Sequence, residues 1–423
     1  FSSVFTAEIE KNRNPQENSP PMPEIMLNIE GVTKLLLTLK PNKAPGPDKI
    51  PPRLLQMVAH ELAPALTKLF QLSLYTGEIP AVWKHANVQP IFKKGDKSNP
   101  KNYRPISLTC TCCKLLEHII RSAITELLET NNILNDAQHG FRKSRSCETQ
   151  LLELTHDLSV NIDKGGQTDM VLLDFAKAFD KVPHSALIHK LNAAGIRNNT
   201  LRWIASFLNG RTQQVVVNGE LSDTAHVTSG VPQGSVLGPS LFLVYINDLP
   251  DRLNSSVRLF ADDTVLYRNI LTENDCIALN NDIAKLESWE REWQMEFNVQ
   301  KCNILTVTNK RHPIHFDYQL HNHRLDNVRS AKYLGVEINH NLKWTPHITQ
   351  ITNKANKTSA FVSRNLKGCP VSTQVHAFKS LLRPILEYAS AVWDPHQNND
   401  IDCPRKNPEK GGETNNRQVH QTD

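Results

Sequence analysis

The chain has 423 residues, 39% hydrophobic and 22% charged, which suits two or three cored domains and excludes a chain disordered throughout. Its net charge of +5 permits a nucleic-acid partner without demanding one. The longest apolar stretch, Val236 to Ile246, is broken by Gly238, Pro239 and Ser240, so the roughly 20 apolar residues of a membrane helix are absent.

The opening FSSVFTAEIEKNRNPQ has no signal-peptide core. A start at Phe1 in place of Met leads us to expect a fragment of a longer product. Residues 1–28 read as a polar linker. From Ile29, apolar residues recur at three- and four-residue steps in GVTKLLLTLK and RLLQMVAHELAPALTKLFQLSLYTG, predicting helices around the loop PNKAPGPDKIPP. Residues 82–108 read as basic loop and short strand, then 114–130 and 148–164 as amphipathic helices. DMVLLDF is a short apolar run between polar flanks, the pattern of a buried strand. Helices are expected from Pro183 to Ala194 and from Thr200 to Leu208. RTQQVVVNG and ELSDTAHVTSG predict a hairpin turning at Asn218-Gly219. Leu237–Leu249 reads as a helix, SSVRLFADDTVLYR as strand, tight turn, strand, and 274–296 as a long amphipathic helix. ILTVTN and AKYLGVEI read as strands, and only helices are expected from His347 to Ala391. Residues 396–423 hold just Ile401, Cys403 and Val419 as apolar residues, and are expected to be a disordered or out-of-frame tail.

The eight cysteines (Cys110, Cys112, Cys113, Cys147, Cys276, Cys302, Cys369 and Cys403) form no disulfide framework and point to a reducing compartment. Cys110-Thr111-Cys112-Cys113 has no second Cys or His pair at zinc-finger spacing, and is read as buried or half-buried thiols at a helix start.

Carboxylates carry the chemistry. Asp174 ends the apolar run DMVLLD, where an ionised group is costly without a cation. Asp262 and Asp263 sit in the turn between two apolar strands, where a divalent metal would relieve their repulsion. An Asp after a strand is also a common helix cap, and Asp-Asp a common turn. If the strands are neighbours, the three carboxylates converge at one sheet edge. An all-oxygen set without His or Cys suits Mg²⁺, with Mn²⁺ able to substitute. Two such ions would serve an in-line phosphoryl transfer. Asp180 is the alternative carboxylate in the first segment, or a cap for the helix after Pro183.

Eight blocks occur in order from about Leu39 to Pro395: LKPNKAPGPDKIP, WKHANVQPIFKKGDKSNPKNYRPISL, QHGFRKSRSCETQL, LLDFAKAFDKVPH, SGVPQGSVLGPSLFLVYINDLP, FADDTVLY, FNVQKCNILTV and KYLGVEI. This series resembles the reverse transcriptases of non-LTR, LINE-type retrotransposons, jockey-like in flavour. The resemblance implies an α+β right-hand polymerase, with a small antiparallel palm sheet packed by helices and a helical thumb. On that scheme residues 29–168 are the fingers with an N-terminal extension, 169–340 the palm and 341–395 the thumb.

By the same resemblance, Asp174, Asp262 and Asp263 hold two Mg²⁺ ions. Phe175 and Ala176 lend backbone contacts to the nucleotide's phosphates. Phe179 lies under the sugar and clashes with a ribose 2′-OH. Gln233 and Gly234 lie against the template–nucleotide pair. Residues 84–104 carry Lys84, Lys93, Lys94, Lys97, Lys101 and Arg104 against Asp96 alone, interleaved with Trp83, Phe92 and Tyr103, a mixture suited to phosphate and stacking contacts. Lys93 or Lys94, with Arg104, is implied to grip the triphosphate. Arg142, Lys143 and Arg145 fall on the template backbone, and Lys301 would protonate the leaving pyrophosphate. Tyr333, Leu334 and Gly335 would form the primer grip. Lys354, Lys357, Arg364 and Lys379 belong to a thumb along the duplex minor groove. The implied partners are an RNA template, a DNA primer and dNTPs, in a nuclear and cytoplasmic ribonucleoprotein. The upstream endonuclease usual in such elements is not found in the sequence, so insertion by this chain alone is not expected. The competing functions are a non-catalytic, maturase-like RNA binder or relic polymerase, and an RNA-dependent RNA polymerase, against which Phe179 argues.

Overall fold

The structure, a computed structural model, describes residues 2–6, 19–395 and 400. The expected tail therefore falls, Asp400 apart, outside the described residues. Two compact units are present. One comprises Phe1–Phe141, Phe175–Leu253 and Lys285–Asn298, the other Arg142–Asp174, Asn254–Ala284 and Val299–Asp423.

The strands run in chain order β1 (His85–Phe92), β2 (Tyr103–Leu108), β3 (Gln167–Leu173), β4 (Arg211–Val217), β5 (Glu220–Leu221), β6 (Ala225–Val227), β7 (Ser256–Phe260), β8 (Asp263–Asn269), β9 (Asn303–Thr308), β10 (Gln319–Leu320), β11 (His323–Arg324), β12 (Asp326–Val328), β13 (Ser330–Tyr333) and β14 (Val336–Asn339).

In the first unit the sheet order is β2-β1-β4-β5, with β6 also on β4. Residues 82–108 thus hold an antiparallel hairpin of two full strands, more than the short strand expected. The turn at Asn218-Gly219 joins β4 to β5 as the sequence predicts. Around the sheet, helix Ala59–Thr76 places Phe70 against the buried Trp83, their centroids 6.0 Å apart. Trp83 is a core ring, which corrects its expected place among stacking contacts. Helix Gly238–Ile246 is apolar on every side and almost wholly buried, which accounts for the long hydrophobic run that no membrane span explains. Cys110 and Cys113 are buried and Cys112 is half-buried at the start of helix Thr111–Thr130, as expected.

In the second unit the sheet order is β12-β9-β3-β8-β7. β3 lies in the middle and its residues are nearly all buried, because MVLL has no polar side to turn outward and Asp169 is bonded by Tyr318 and Gln167. Helix Cys147–Asp163 packs Leu151, Leu154 and Leu158 into a core with Met170, Val265, Leu305 and Ile338. Each such side chain contributes roughly 1.5–3 kcal/mol by leaving water. The Ser146 cap and its reciprocal Thr149 bond fix the start of that helix. AKYLGVEI is a hairpin, not one strand. Leu334 and Gly335 take φ of 43° and 90°, the paired left-handed residues that a tight two-residue turn requires. Helix Thr345–Asn365 then buries His347, Ile348, Thr352 and Ala355 and leaves Lys354, Lys357 and Arg364 exposed. No helix among the described residues is long and apolar enough to cross a membrane.

Candidate active site

The register of the second unit's sheet brings the predicted carboxylates to one end of it. β3 pairs antiparallel with β8 up to Leu173↔Thr264, and β7 with β8 up to Phe260↔Asp263. One step beyond Leu173, Asp174 stands beside the two-residue turn Ala261-Asp262. Ala261 there adopts φ of 55°, in the left-handed region that such turns demand. The carboxylates lie at strand ends: Asp174 follows the inner strand β3, and the Asp262–Asp263 turn joins the inner strand β8 to the edge strand β7. On the other side β3 pairs with β9 through Leu172↔Asn303, and the same offset puts Lys301 opposite Asp174. Lys301 Nζ donates to Asp174 Oδ2 at 2.7 Å. Asp174 and Asp262 are half-buried and Asp263 is exposed. Among the described residues, no three carboxylate, imidazole or thiol groups are drawn together tightly enough to hold a metal. The donor set at this strand end is nonetheless all oxygen, the chemistry that fits Mg²⁺.

The Tyr333-Leu334-Gly335 turn belongs to the same unit. Tyr333 is buried, and the Gln150 amide donates to its hydroxyl at 3.2 Å. Burial pushes the Tyr333 phenol well up, so it stays protonated. The Tyr388 hydroxyl donates to the Leu334 carbonyl at 2.8 Å. A side chain at Gly335 would come within 2.9 Å of the Tyr388 ring, so glycine is needed for space as well as for φ. Arg142 and Arg145 are half-buried and Lys143 exposed in the turn before helix Cys147–Asp163.

The nucleotide-side candidates lie in the first unit. Lys93, Lys94 and Arg104 are exposed on the β1–β2 hairpin, where Phe92 and Tyr103 pack edge-on at 5.5 Å. This pair lies at the loop end of the hairpin, where the strands join through residues 93–102. Phe179 is half-buried and stacks on Phe242 with centroids 4.5 Å apart. Phe175 is buried and stacked on Phe297 at 4.2 Å. The Ala176 N–H donates to the Glu296 carbonyl at 2.8 Å. That donor is satisfied within the protein.

Gln233 and Gly234 sit on a loop folded over Phe179 and Asp180. The Val231 N–H donates to the Phe179 carbonyl at 2.7 Å, and the Ser107 N–H to the Gln233 carbonyl at 2.7 Å. Gly234 has φ of 111°, and a Cβ there would lie 2.7 Å from the Ser107 carbonyl oxygen. The Gln233 side-chain amide donates to Asp180 Oδ1 at 2.8 Å. Burial raises the Asp180 carboxyl, opposed by that bond and by the charges of Lys177 and Arg104. Asp180 therefore does not cap the helix that follows Pro183, which has no side-chain cap. Its partner is Gln233.

Two loop-holding residues escaped the sequence reading: Ser107 and Glu117. Glu117 carries the one signal that could have found it. It falls on the buried face of helix Thr111–Thr130 with Cys113, Leu116, Ile120 and Ile124, an acid where the pattern asks for an apolar residue.

In the second unit, a strand-end carboxylate thus stands beside an acidic pair in an adjacent hairpin turn. The profile of the family described as reverse transcriptase (RNA-dependent DNA polymerase) matches residues 91–338, more than half of the chain, and the chain belongs to that family. It is 28% identical over 393 residues to the RNA-directed DNA polymerase from mobile element jockey of Drosophila melanogaster, covering 88% of this chain and 42% of the relative. It is 27% identical over 375 residues to the probable RNA-directed DNA polymerase from transposon X-element of the same organism, covering 86% and 41%. The chain thus spans about two fifths of the length of these curated relatives. A solved apo telomerase from Candida Tropicalis, truncated from its C-terminal domain, aligns at a TM-score of 0.44 and 12% identity over 67% of this chain and 59% of that one.

Proposed function

We propose that the chain is the polymerase part of a non-LTR retrotransposon product, extending a DNA 3′-OH on an RNA template with dNTPs. The observation that carries the reading is the strand-end constellation. Asp174, the Asp262–Asp263 turn and Lys301 occupy neighbouring register positions in a chain of this family. The sheet of the second unit would be the palm, the helices from Thr345 the thumb, and the β1–β2 hairpin part of the fingers.

Asp174, Asp262 and Asp263 would hold two Mg²⁺ ions, which when bound would supply charge neutralisation at the phosphates and a more acidic primer hydroxyl. Lys301 would deliver a proton from Nζ to the leaving pyrophosphate. Phe179 would face the sugar, and Gln233 and Gly234 the template–nucleotide pair. Lys93 or Lys94 and Arg104 would bind phosphate oxygens as exposed cations. Arg142, Lys143 and Arg145 would hold the template strand, and the Tyr333–Gly335 turn the primer. The site of action would be a nuclear and cytoplasmic ribonucleoprotein.

Primer extension on poly(rA)/oligo(dT) tests this, with dTTP and with UTP in parallel. Extension with dTTP and Mg²⁺ supports the reading. Extension with UTP alone would favour an RNA polymerase. Tight template binding without any extension would favour a maturase-like or relic RNA binder.

A further inference from the structure

Besides Asp180, a second carboxylate, that of Glu117, lies against the loop that carries Gln233 and Gly234. Glu117 is fully buried, and its Oε2 accepts hydrogen bonds from the Val236 N–H at 2.7 Å and the Leu237 N–H at 3.2 Å. Those two N–H groups lie just before helix Gly238–Ile246. The residue beside them, Ser235, already serves the first N–H of that helix, its Oγ accepting from the Gly238 N–H at 3.0 Å. The first helical N–H thus has a local acceptor, and the carboxylate from a distant helix bonds instead to the two N–H groups that precede the helix. An acid in this position is costly on its own terms. Burial holds Glu117 above the usual carboxylate range, against the pull of the two N–H groups and of the buried Arg211. Leucine would fill the space on the same helical face without that cost.

What the carboxylate adds is a second anchor for the loop. Its other end is fixed by the Ser107 N–H on the Gln233 carbonyl and by the close approach of Gly234 to Ser107. Between these anchors lie only Gly234 and Ser235, so tying down Val236 and Leu237 sets where Gln233 can sit. We propose that Glu117 is a positioning residue that holds the Gln233–Gly234 segment in register for template-directed choice of the incoming nucleotide. The proposal rests on the reading of that segment as the contact to the template–nucleotide pair.

The test compares Glu117→Ala, Glu117→Asp and Glu117→Gln in the full chain. Glutamine keeps an acceptor oxygen at the same reach, whereas aspartate keeps the charge but is one methylene short. Amide hydrogen exchange at Val236 and Leu237 should accelerate at least about tenfold in the Ala and Asp variants and stay near wild type in Gln. On poly(rA)/oligo(dT), Ala and Asp should raise KM for dTTP about tenfold with kcat changed less than about threefold. They should also lower the ratio of correct to mismatched kcat/KM about tenfold, and Gln should restore both. A merely structural glutamate would lower the thermal midpoint without moving the mismatch ratio. If the Ala variant does not fold, Asp carries the comparison. Unchanged exchange in Asp overturns the anchor. Faster exchange with unaltered KM and mismatch ratio overturns the positioning role. Wild-type protein that shows protected amides but no extension overturns the polymerase reading, and the nucleotide-selecting role with it, while leaving the anchor standing as a structural contact.

Discussion

Lys301 and Asp174 form a 2.7 Å ion pair across the ends of two neighbouring strands, the ammonium reaching the carboxylate that terminates β3. Both side chains remain partly exposed, at 58% and 39%. A pair this wet contributes only about 0–1 kcal/mol to stability. Its place in the register is therefore better understood as a feature of the site than of the fold. Lys301→Ala should move the thermal midpoint by no more than about 2 °C. If the lysine supplies the leaving-group proton, kcat for extension should fall about a hundredfold, with Lys301→Arg intermediate. Unchanged kcat in the alanine variant would return Lys301 to the role of a surface cation.

The carboxylates are expected to act on the transition state more than on binding. Asp262→Asn keeps the size of the turn residue but removes its charge. It should lower kcat by at least about a thousandfold while the Kd for primer–template stays within threefold of wild type. Near-normal extension by this variant would remove Asp262 from the site.

Phe179 combines a packing contact with a proposed selective one. Its stacking on Phe242 means that Phe179→Val should cost about 1–2 kcal/mol of stability. If its ring also excludes a 2′-OH, the ratio of kcat/KM for dTTP over UTP should fall at least about tenfold, equivalent to roughly 1.4 kcal/mol. A stable, active valine variant with the wild-type ratio would make Phe179 a core ring alone.

His347 supplies a pH dependence that can be signed. Its ring is buried edge-on to Trp393 at 5.2 Å, its Nδ1 accepts the Glu337 N–H at 3.3 Å, and its Nε2 has no hydrogen-bond partner among the described residues. Burial first, and the charge of Lys332 second, lower its pKa to about 4 from an ordinary 6.5. The unfolded chain binds the proton more readily, so this contribution to stability is complete above about pH 6.5 and is lost as pH falls toward 4. The loss should be on the order of 3 kcal/mol, the free-energy equivalent of that depression. His347→Gln, which can still accept from Glu337, should flatten the dependence of the thermal midpoint on pH across that window. Parallel curves for the two proteins would show that His347 does not titrate there.

Much of this molecule is legible from local pattern. The buried strand at 167–173, the strand–turn–strand around Asp262 and the helices at 111–130 and 147–163 follow from apolar periodicity. Asp174 and the Asp262–Asp263 pair stand out because charge at the end of an apolar run is unusual enough to need a reason. The motif order supplies the family. The AKYLGVEI hairpin is harder to read, since its turn is a Leu-Gly pair in an otherwise strand-like run and gives little sign of the left-handed φ at Leu334.

Tertiary structure alone decided the pairings. That β3 is flanked by β8 and β9, setting Asp174 beside the acidic turn on one side and Lys301 on the other, depends on hydrogen-bond register between segments far apart in sequence. Periodicity reports which face of a segment is apolar, not which segment covers it. The same limit hid the partners of Asp180 and Glu117. Each is a single acid whose meaning lies in distant groups, the Gln233 amide and the Val236 and Leu237 N–H groups, that only folding brings within 3.2 Å.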